Sequence, residues 1–316
     1  MMRRLAALIA LLLTPCLVTA QERPRITGIS HVAYFVSDMG SALTFWHDLL
    51  GYEVYGTLAR EDGTTRIEFV KINDHQHVEL FTDKPVNPSN HFSHICFAVD
   101  DIQKMRMYLR AKGFDVKDGS GKTRMGDYAF MMHDPDGTLI EFVQSLPDGK
   151  EAQAAGKLMP ATRIASSIYH AGFLVWNTQK ELDFYEKVLG FTETWRGSAV
   201  GSAVLSWINL KVPDGDDYIE LMLVADPSKP GYGTKNHVSL AVPDIQNAVN
   251  ELQARPAIKS YTRPLTINTG VNRKRQVNLY DADGTRVELM EPFTVDGKAA
   301  PASTLVPPVP TEERRD

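Results

Sequence analysis

The amino-acid sequence predicts an α+β fold made of four βαβββ modules arranged as two tandem halves. Three observations lead there. A strand, a turn and an amphipathic helix open the pattern at four places: Ile29–Tyr52, Ser93–Phe114, Tyr169–Phe191 and Asn236–Gln253. Strand-like runs follow each opening, the last being His77–Thr82, Leu139–Gln144, Tyr218–Val224 and Arg286–Glu291. The turn-and-strand stretch HDPDGTLIEFVQ (His133–Gln144) recurs as YDADGTRVELME (Tyr280–Glu291). Such self-similarity marks a repeated structural unit.

Residues 1–20 stand outside the modules. A basic start (Arg3, Arg4), the apolar run Leu5–Leu13 and the small-residue end Val18-Thr19-Ala20 read as a secretory signal peptide, too short for a membrane span. Pro15 directly before Cys16 matches a lipoprotein signal poorly. Loss of Arg3 and Arg4 takes the net charge from −5 to −7, and a mildly acidic surface argues against nucleic acid as the partner. The mature chain keeps one cysteine, Cys96, so it has no internal disulfide and must rest on apolar packing. The expectation is an exported protein, periplasmic or secreted, free of the membrane once processed. It would be a monomer or homodimer whose partner is a small molecule.

The chain of 316 residues holds two domains of about 130–150 residues each. The sequence places them at 26–146 and 168–293. Residues 147–167 lack strand patterning and read as a linker. Residues 294–316, Ala- and Pro-rich with a charged end, read as a disordered tail.

Each opening helix shows one apolar face. In the first copy Ser37 or Asp38 can cap the helix, and Ala42, Phe45, Trp46, Leu49 and Leu50 form the face. Ile102, Met105 and Leu109 form it in the second copy, Leu182, Tyr185 and Leu189 in the third, and Ile245, Val249 and Leu252 in the fourth. Three helices run into Gly51, Gly113 and Gly190, which fits a helix stop. In the first recurring turn, Asp134-Pro135-Asp136-Gly137, Pro suits the second position and Gly the left-handed exit.

The chemistry lies on the strands. Every opening strand carries a histidine at its start: His31, His94, His170 and His237. Every closing strand carries a glutamate, Glu79, Glu141, Glu220 or Glu288, at separations of 48, 47, 50 and 51 residues. Strand side chains alternate faces, so Ile140 and Phe142 share one face and Glu141 takes the other; Val287, Leu289 and Glu288 repeat this. Two residues after each histidine stand Ala33, Cys96, Gly172 and Ser239, all small. The histidine face is therefore kept open while the bulky face packs on the helices.

Two imidazoles and two carboxylates converging on one point suit a divalent transition metal, with Zn, Ni, Fe(II), Mn or Co as candidates. Four protein ligands on a six-coordinate ion leave two positions for a substrate with neighbouring oxygens, and a loosened glutamate could act as proton base. A single histidine at a strand start is usually structural. Four in register with four glutamates reverse that balance. His77 shares the face of Glu79 and could assist, although a polar strand start is its ordinary reading. Cys96 shares the His94 face, where a small buried role suits it. Arg66, Arg124, Arg273, Lys274 and Arg275 are candidates to grip an anionic substrate, with Arg124, Arg273 and Arg275 foremost; a solvated loop is the plain alternative.

These residues resemble the vicinal oxygen chelate superfamily, which includes glyoxalase I, extradiol dioxygenases and bleomycin-resistance proteins. The match covers nearly all of residues 26–293. The resemblance implies two tandem glyoxalase-like domains with cupped mixed sheets, each holding a metal. His31, Glu79, His94 and Glu141 match the His-Glu-His-Glu pattern of bacterial glyoxalase I, and His170, Glu220, His237 and Glu288 match it again. It implies a metal-dependent lyase or isomerase in which Glu141, Glu288, Glu79 or Glu220 doubles as base. Glutathione-using members carry an Arg four residues after the first His; here Phe35 and Leu174 stand there, which points away from glutathione. His170, His237 and Glu288 also match an extradiol iron triad, but Glu220 stands where those enzymes place a catalytic His. A non-catalytic small-molecule binder of the resistance type is the other alternative, although such binders often lack the metal ligands that are all present here. Modules one and two could share a cup, as could one and four.

Overall fold

The structure is a computed structural model that describes residues 22–85, 88, 90–119, 121–226 and 235–311. The signal-like residues 1–20 lie outside it. The alternating runs form two mixed sheets. The first contains β1 (Ile26–Phe35), β2 (Glu53–Ala59), β3 (Thr65–Lys71), β4 (His77–Phe81), β5 (Phe92–Val99), β6 (Tyr128–His133) and β7 (Leu139–Gln144), in the order β2-β3-β4-β1-β5-β7-β6. The second contains β8 (Ile168–Val175), β9 (Thr192–Gly197), β10 (Trp207–Lys211), β11 (Tyr218–Leu223), β12 (His237–Ala241), β13 (Asn268–Thr269), β14 (Lys274–Tyr280) and β15 (Arg286–Thr294), in the order β13-β14-β15-β12-β8-β11-β10-β9. Modules one and two thus share a sheet, and so do three and four. The two opening strands pair antiparallel at each centre, and each closing strand lies parallel beside its own opening strand.

Three modules are βαβββ. The second has only β6 and β7 after its helix. Residues 112–127 are rich in Gly, Asp and Lys, lack alternation, and contribute one isolated bridge, Lys122 to Tyr128, among the described residues. Helices α1 (Met39–Leu43) and α4 (Thr178–Leu182) each continue into a π-helical turn, Thr44–Leu49 and Asp183–Val188. These turns deliver Phe45, Trp46 and Leu49, and Phe184 and Tyr185, to the interior. Helices α2 (Ile102–Ala111) and α5 (Ile245–Ala254) are capped by Asp101 and Asp244, and α1 by Asp38, whose carboxylate accepts from Ser41 N at 2.7 Å.

One apolar core runs through both halves. Phe97 of β5 meets Phe191 at 5.3 Å and Tyr185 at 6.5 Å, and Phe92 stacks on Phe173 at 6.2 Å between ring centres. These aromatic contacts, with the shared apolar cluster, join the halves.

The recurring Asp-rich turns lock this arrangement. Asp136 Oδ2 accepts from Trp176 N (2.8 Å) and Asn177 N (3.0 Å) at the start of α4. Asp283 Oδ2 accepts from Ser37 N (2.9 Å) just before α1. Module two therefore holds module three, and module four holds module one. Gly137 and Gly284 take φ of 89° and 80°, where a side chain would be strained.

Two expectations change. The linker 147–167 carries α3 (Lys150–Gln153), whose Glu151 is buried against His77. The tail expected to be disordered is placed as far as residue 311. Ser303 N donates to Arg196 O at 2.9 Å, Leu205 N to Val306 O at 2.8 Å and Thr311 N to Ala225 O at 3.0 Å. Composition misled here because the tail is held by backbone partners on β9 and the segments beside it, with Ser303 Oγ meeting Ser198 Oγ at 2.7 Å.

Two outcomes test the lock. Asp136→Ala leaves two amide groups without an acceptor and is expected to cost about 1–3 kcal/mol, read by urea or thermal unfolding. Buried Glu181, which accepts from Asp136 N at 2.7 Å, has its carboxyl pushed up to about 10 by burial and by Asp134 and Asp136. In the unfolded chain it ionises near pH 4. Its contribution to folding is complete below that pH and is lost as pH climbs toward 10. Glu181→Gln should raise Tm at pH 8–9, and that gain should vanish near pH 4.

Candidate metal centre

Register brings the eight predicted residues into two groups of four. In the first sheet Glu79, Ala33 and His94 lie in one cross-strand row, and His77, His31, Cys96 and Glu141 in the next. In the second, Glu220, Gly172, His237 and Arg286 form one row, and Tyr218, His170, Ser239 and Glu288 the next. The small residues are the floor on which the histidine rings lie. A Cβ on Gly172 would stand 2.1 Å from His237 Cε1.

In the first cup His31 Nε2 lies 3.1 Å from His94 Nε2 and 3.2 Å from Glu141 Oε2. His94 Nε2 is 3.1 Å from the same Glu141 oxygen, and Glu79 offers an oxygen 3.7 Å from each ring nitrogen. Donors about 2.1 Å from a shared ion stand roughly 3.0–3.5 Å apart, so these spacings are those of ligands around one centre. Two imidazole nitrogens that face each other and a carboxylate at once are poorly served by protons alone. A divalent cation fits the donor set. Ser30 Oγ (3.3 Å) and Ser93 Oγ (3.1 Å) meet the Nδ1 atoms of His31 and His94, the usual outer support of ligating rings.

The second cup repeats the geometry. His170 Nε2 is 3.0 Å from His237 Nε2 and 3.4 Å from Glu288 Oε2, and Glu220 lies 3.8 Å from His237 Nε2. All eight side chains are buried.

The electrostatics of the cups differ. Burial alone would raise Glu141, but hydrogen bonds from His31 and His94 outweigh it and hold the carboxyl well below its usual range. Glu79 is likewise lowered: its burial is overcome by His31, His77 and His94. His77 is raised to about 9, its burial outweighed by Glu151 (3.5 Å) and Glu79 (3.6 Å). In the second cup burial wins. Glu220 is pushed up to about 8 by burial and by Glu288, and Glu288 is also raised by burial. His170 and His237 fall well below the ordinary value through burial and then through Arg286.

The first cup opens through a cavity of about 260 Å³ whose walls include Leu58, Ile67, Phe69 and Met125. The second holds about 200 Å³ bounded by Trp195, Trp207, Val271 and Met290. Arg66 and Arg124 stand exposed at the first mouth; Arg66 pairs with Asp83 at 2.9 Å, and Arg124 donates to Ala59 O at 2.9 Å. Arg273 and Arg275 are engaged elsewhere. Arg273 pairs with Asp296, and Arg275 holds Glu291, whose Oε1 accepts from Ile245 N on the convex side of the sheet. The substrate-binding expectation for these two therefore fails to meet a cup. Lys274, between them, reaches Tyr169 OH at 2.5 Å beside the second cup. Cys96 stays a small floor residue whose thiol burial pushes well up. Sequence reasoning passed over Arg286 and Glu151. Arg286 sits two residues before Glu288, the parity that also marked His77 beside Glu79.

Comparison with known proteins agrees with this fold. A sequence profile for the Glyoxalase/Bleomycin resistance protein/Dioxygenase superfamily matches residues 28–142 and 167–289. Glyoxalase I of Saccharomyces cerevisiae is 26% identical over 222 residues, and the match spans 64% of this chain and 64% of that protein's length. The Mn(II)-bound glyoxalase of Novosphingobium aromaticivorans superposes with a TM-score of 0.66 at 21% identity, covering 90% of this chain and 88% of that one. Homoprotocatechuate 2,3-dioxygenase of Arthrobacter globiformis superposes with a TM-score of 0.62 at 16% identity, covering 86% and 82%.

The floor can be tested directly. Gly172→Ala should displace the His237 ring and cost about 1–3 kcal/mol. Thermal unfolding reads the cost, and the histidine NMR signals of the second cup should shift while those of His31 and His94 stay in place.

Proposed function

The chain belongs to the Glyoxalase/Bleomycin resistance protein/Dioxygenase superfamily, and from that premise we propose that it is an exported, metal-dependent lyase or isomerase of glyoxalase I type. Its substrate is a small molecule with adjacent oxygens. The observation that carries this reading is the convergence of His31, Glu79, His94 and Glu141 at ligand spacing on the floor of an open cavity. Export rests on the signal-like residues 1–20.

A divalent ion held by these four residues would supply Lewis acidity toward a carbonyl or enolate oxygen. The protein's own part is proton movement. Glu141 touches both ring nitrogens at 3.1–3.2 Å, whereas Glu79 stands off at 3.7 Å and leans on His77. Glu79 is therefore the looser carboxylate and the base of choice. It takes a proton from one carbon and returns it to its neighbour, which isomerises the substrate with no external oxidant. Leu58, Ile67 and Phe69 line the approach to that carboxylate. Phe35, packed on Phe81 at 6.1 Å, stands where glutathione-using relatives carry Arg, so the thiol part of a substrate is smaller than glutathione or absent.

The test is isomerisation of 2-oxoaldehyde–thiol adducts after metal loading. Glu79→Gln should lower kcat by about 10²–10⁴ while metal content holds. Glu141→Gln should lose the metal itself. Full activity in the chelated, metal-free protein would sink the reading.

A second reading concerns the second cup. Glu220 stands off at 3.8 Å, so His170, His237 and Glu288 form the tighter group of two imidazoles and one carboxylate, the set of non-haem iron oxygenases. Oxygen uptake with a catechol and Fe(II), abolished by Glu288→Gln, would establish it in place of isomerisation there.

A further inference from the structure

The cups match in their ligands but differ in the charges around them. Beside the first, Glu151 and His77 pair with each other, and the cations Arg66 and Arg124 stay out at the mouth. Glu79 and Glu141 thus leave two negative charges for a divalent ion to neutralise. The second cup has Arg286 in its wall and Lys274 beside it. Arg286 occupies the row of Glu220, Gly172 and His237, touches His237 Nδ1, and donates to Lys235 O at 3.0 Å. Lys274 lies over the Tyr169 ring, 4.8 Å from its centre, and interacts electrostatically with Glu288 and Glu220. Lys274 and Arg286 already set two positive charges beside the two glutamates. A divalent ion alone would stand beside two half-buried cations with no counter-charge left for it, which is disfavoured.

The second cup also holds buried polar atoms with no hydrogen bond inside the protein: His170 Nδ1, Asn209 Oδ1, Tyr218 OH, Asn278 Oδ1 and Arg286 Nε. Asn209 and Asn278 stand opposite Glu220 and Glu288 in register. Native interiors seldom leave such groups unserved. Trp195, Trp207, Val271 and Met290 give the cavity an apolar wall opposite them.

We propose that the second cup takes its metal only together with a small, apolar-bodied carboxylate held by Arg286 and Lys274, whereas the first cup takes a divalent ion alone. The anion restores the charge balance, and its body lies against the tryptophans. This rests on the metal reading above and adds a division of labour between the cups: the second site is filled only when metal and anion are both present.

The experiment is equilibrium dialysis of the intact metal-free protein against Mn(II), with and without mandelate, an aryl carboxylate with adjacent oxygens. One Mn(II) per chain is expected without mandelate, and a second with it, bound at least about tenfold more tightly than in its absence. Glu141→Gln should remove only the first and Glu288→Gln only the second. The double variant Lys274→Met/Arg286→Met should take its second Mn(II) without mandelate, while Arg286→Lys should keep the requirement; circular dichroism checks that each is folded. A Glu288-dependent site of equal affinity with and without mandelate overturns the proposal and leaves the metal reading intact. So does a second cup that stays empty of Mn(II) with mandelate present. Failure of both cups to bind Mn(II) overturns the metal reading itself.

Discussion

Everything in the molecule depends on how two antiparallel strands meet at the centre of each sheet. β1 against β5, and β8 against β12, set the paired histidines so that their Nε2 atoms come within 3.1 and 3.0 Å. Such closeness requires small neighbours across the ladder. Ala33 faces His94, and Gly172 faces His237. It also requires the closing strand of each module to lie parallel beside the opening one, since only then does each glutamate arrive in the row of a histidine. The bulky residues of the same strands point away and form the common core. Cup and core are two faces of one pleat.

Most of this is legible in the chain because a strand's period is two. His31, the small residue at 33 and Glu79 all obey that parity, as do their three copies, and four repetitions reveal what one could not. Parity could also have sorted the basic run at 273–275. Side chains one residue apart leave a strand on opposite faces, so Lys274 belongs with one cup while Arg273 and Arg275 do not. Weight given to arginine as an anion binder hid this. Arg286 was open to the same reasoning, two before Glu288 and on its face.

Other features had no local signal. Which modules share a sheet depends on strand neighbours far apart in sequence, and the repeats fit either pairing. Glu151 reaches His77 from a stretch whose composition reads as a connector. The residues after 294 look disordered because they carry little that could form a core. Their order comes from backbone partners at Arg196, Leu205 and Ala225, which no composition reveals.

The Asp-rich turns make the chain a closed ring of dependence. The link from Asp136 to α4 joins residues about forty positions apart, but the link from Asp283 to Ser37 spans 246. Contacts of such separation form late and slow the search for the native state, because the intervening chain must first be brought together. Each half shares part of its packing with the other. The amide just before the first helix finds its acceptor in a turn of the fourth module. The packing around the first cup's sheet is complete only when the fourth module is in place. Until then the apolar faces shared by the two sheets stay open to chaperones and to one another.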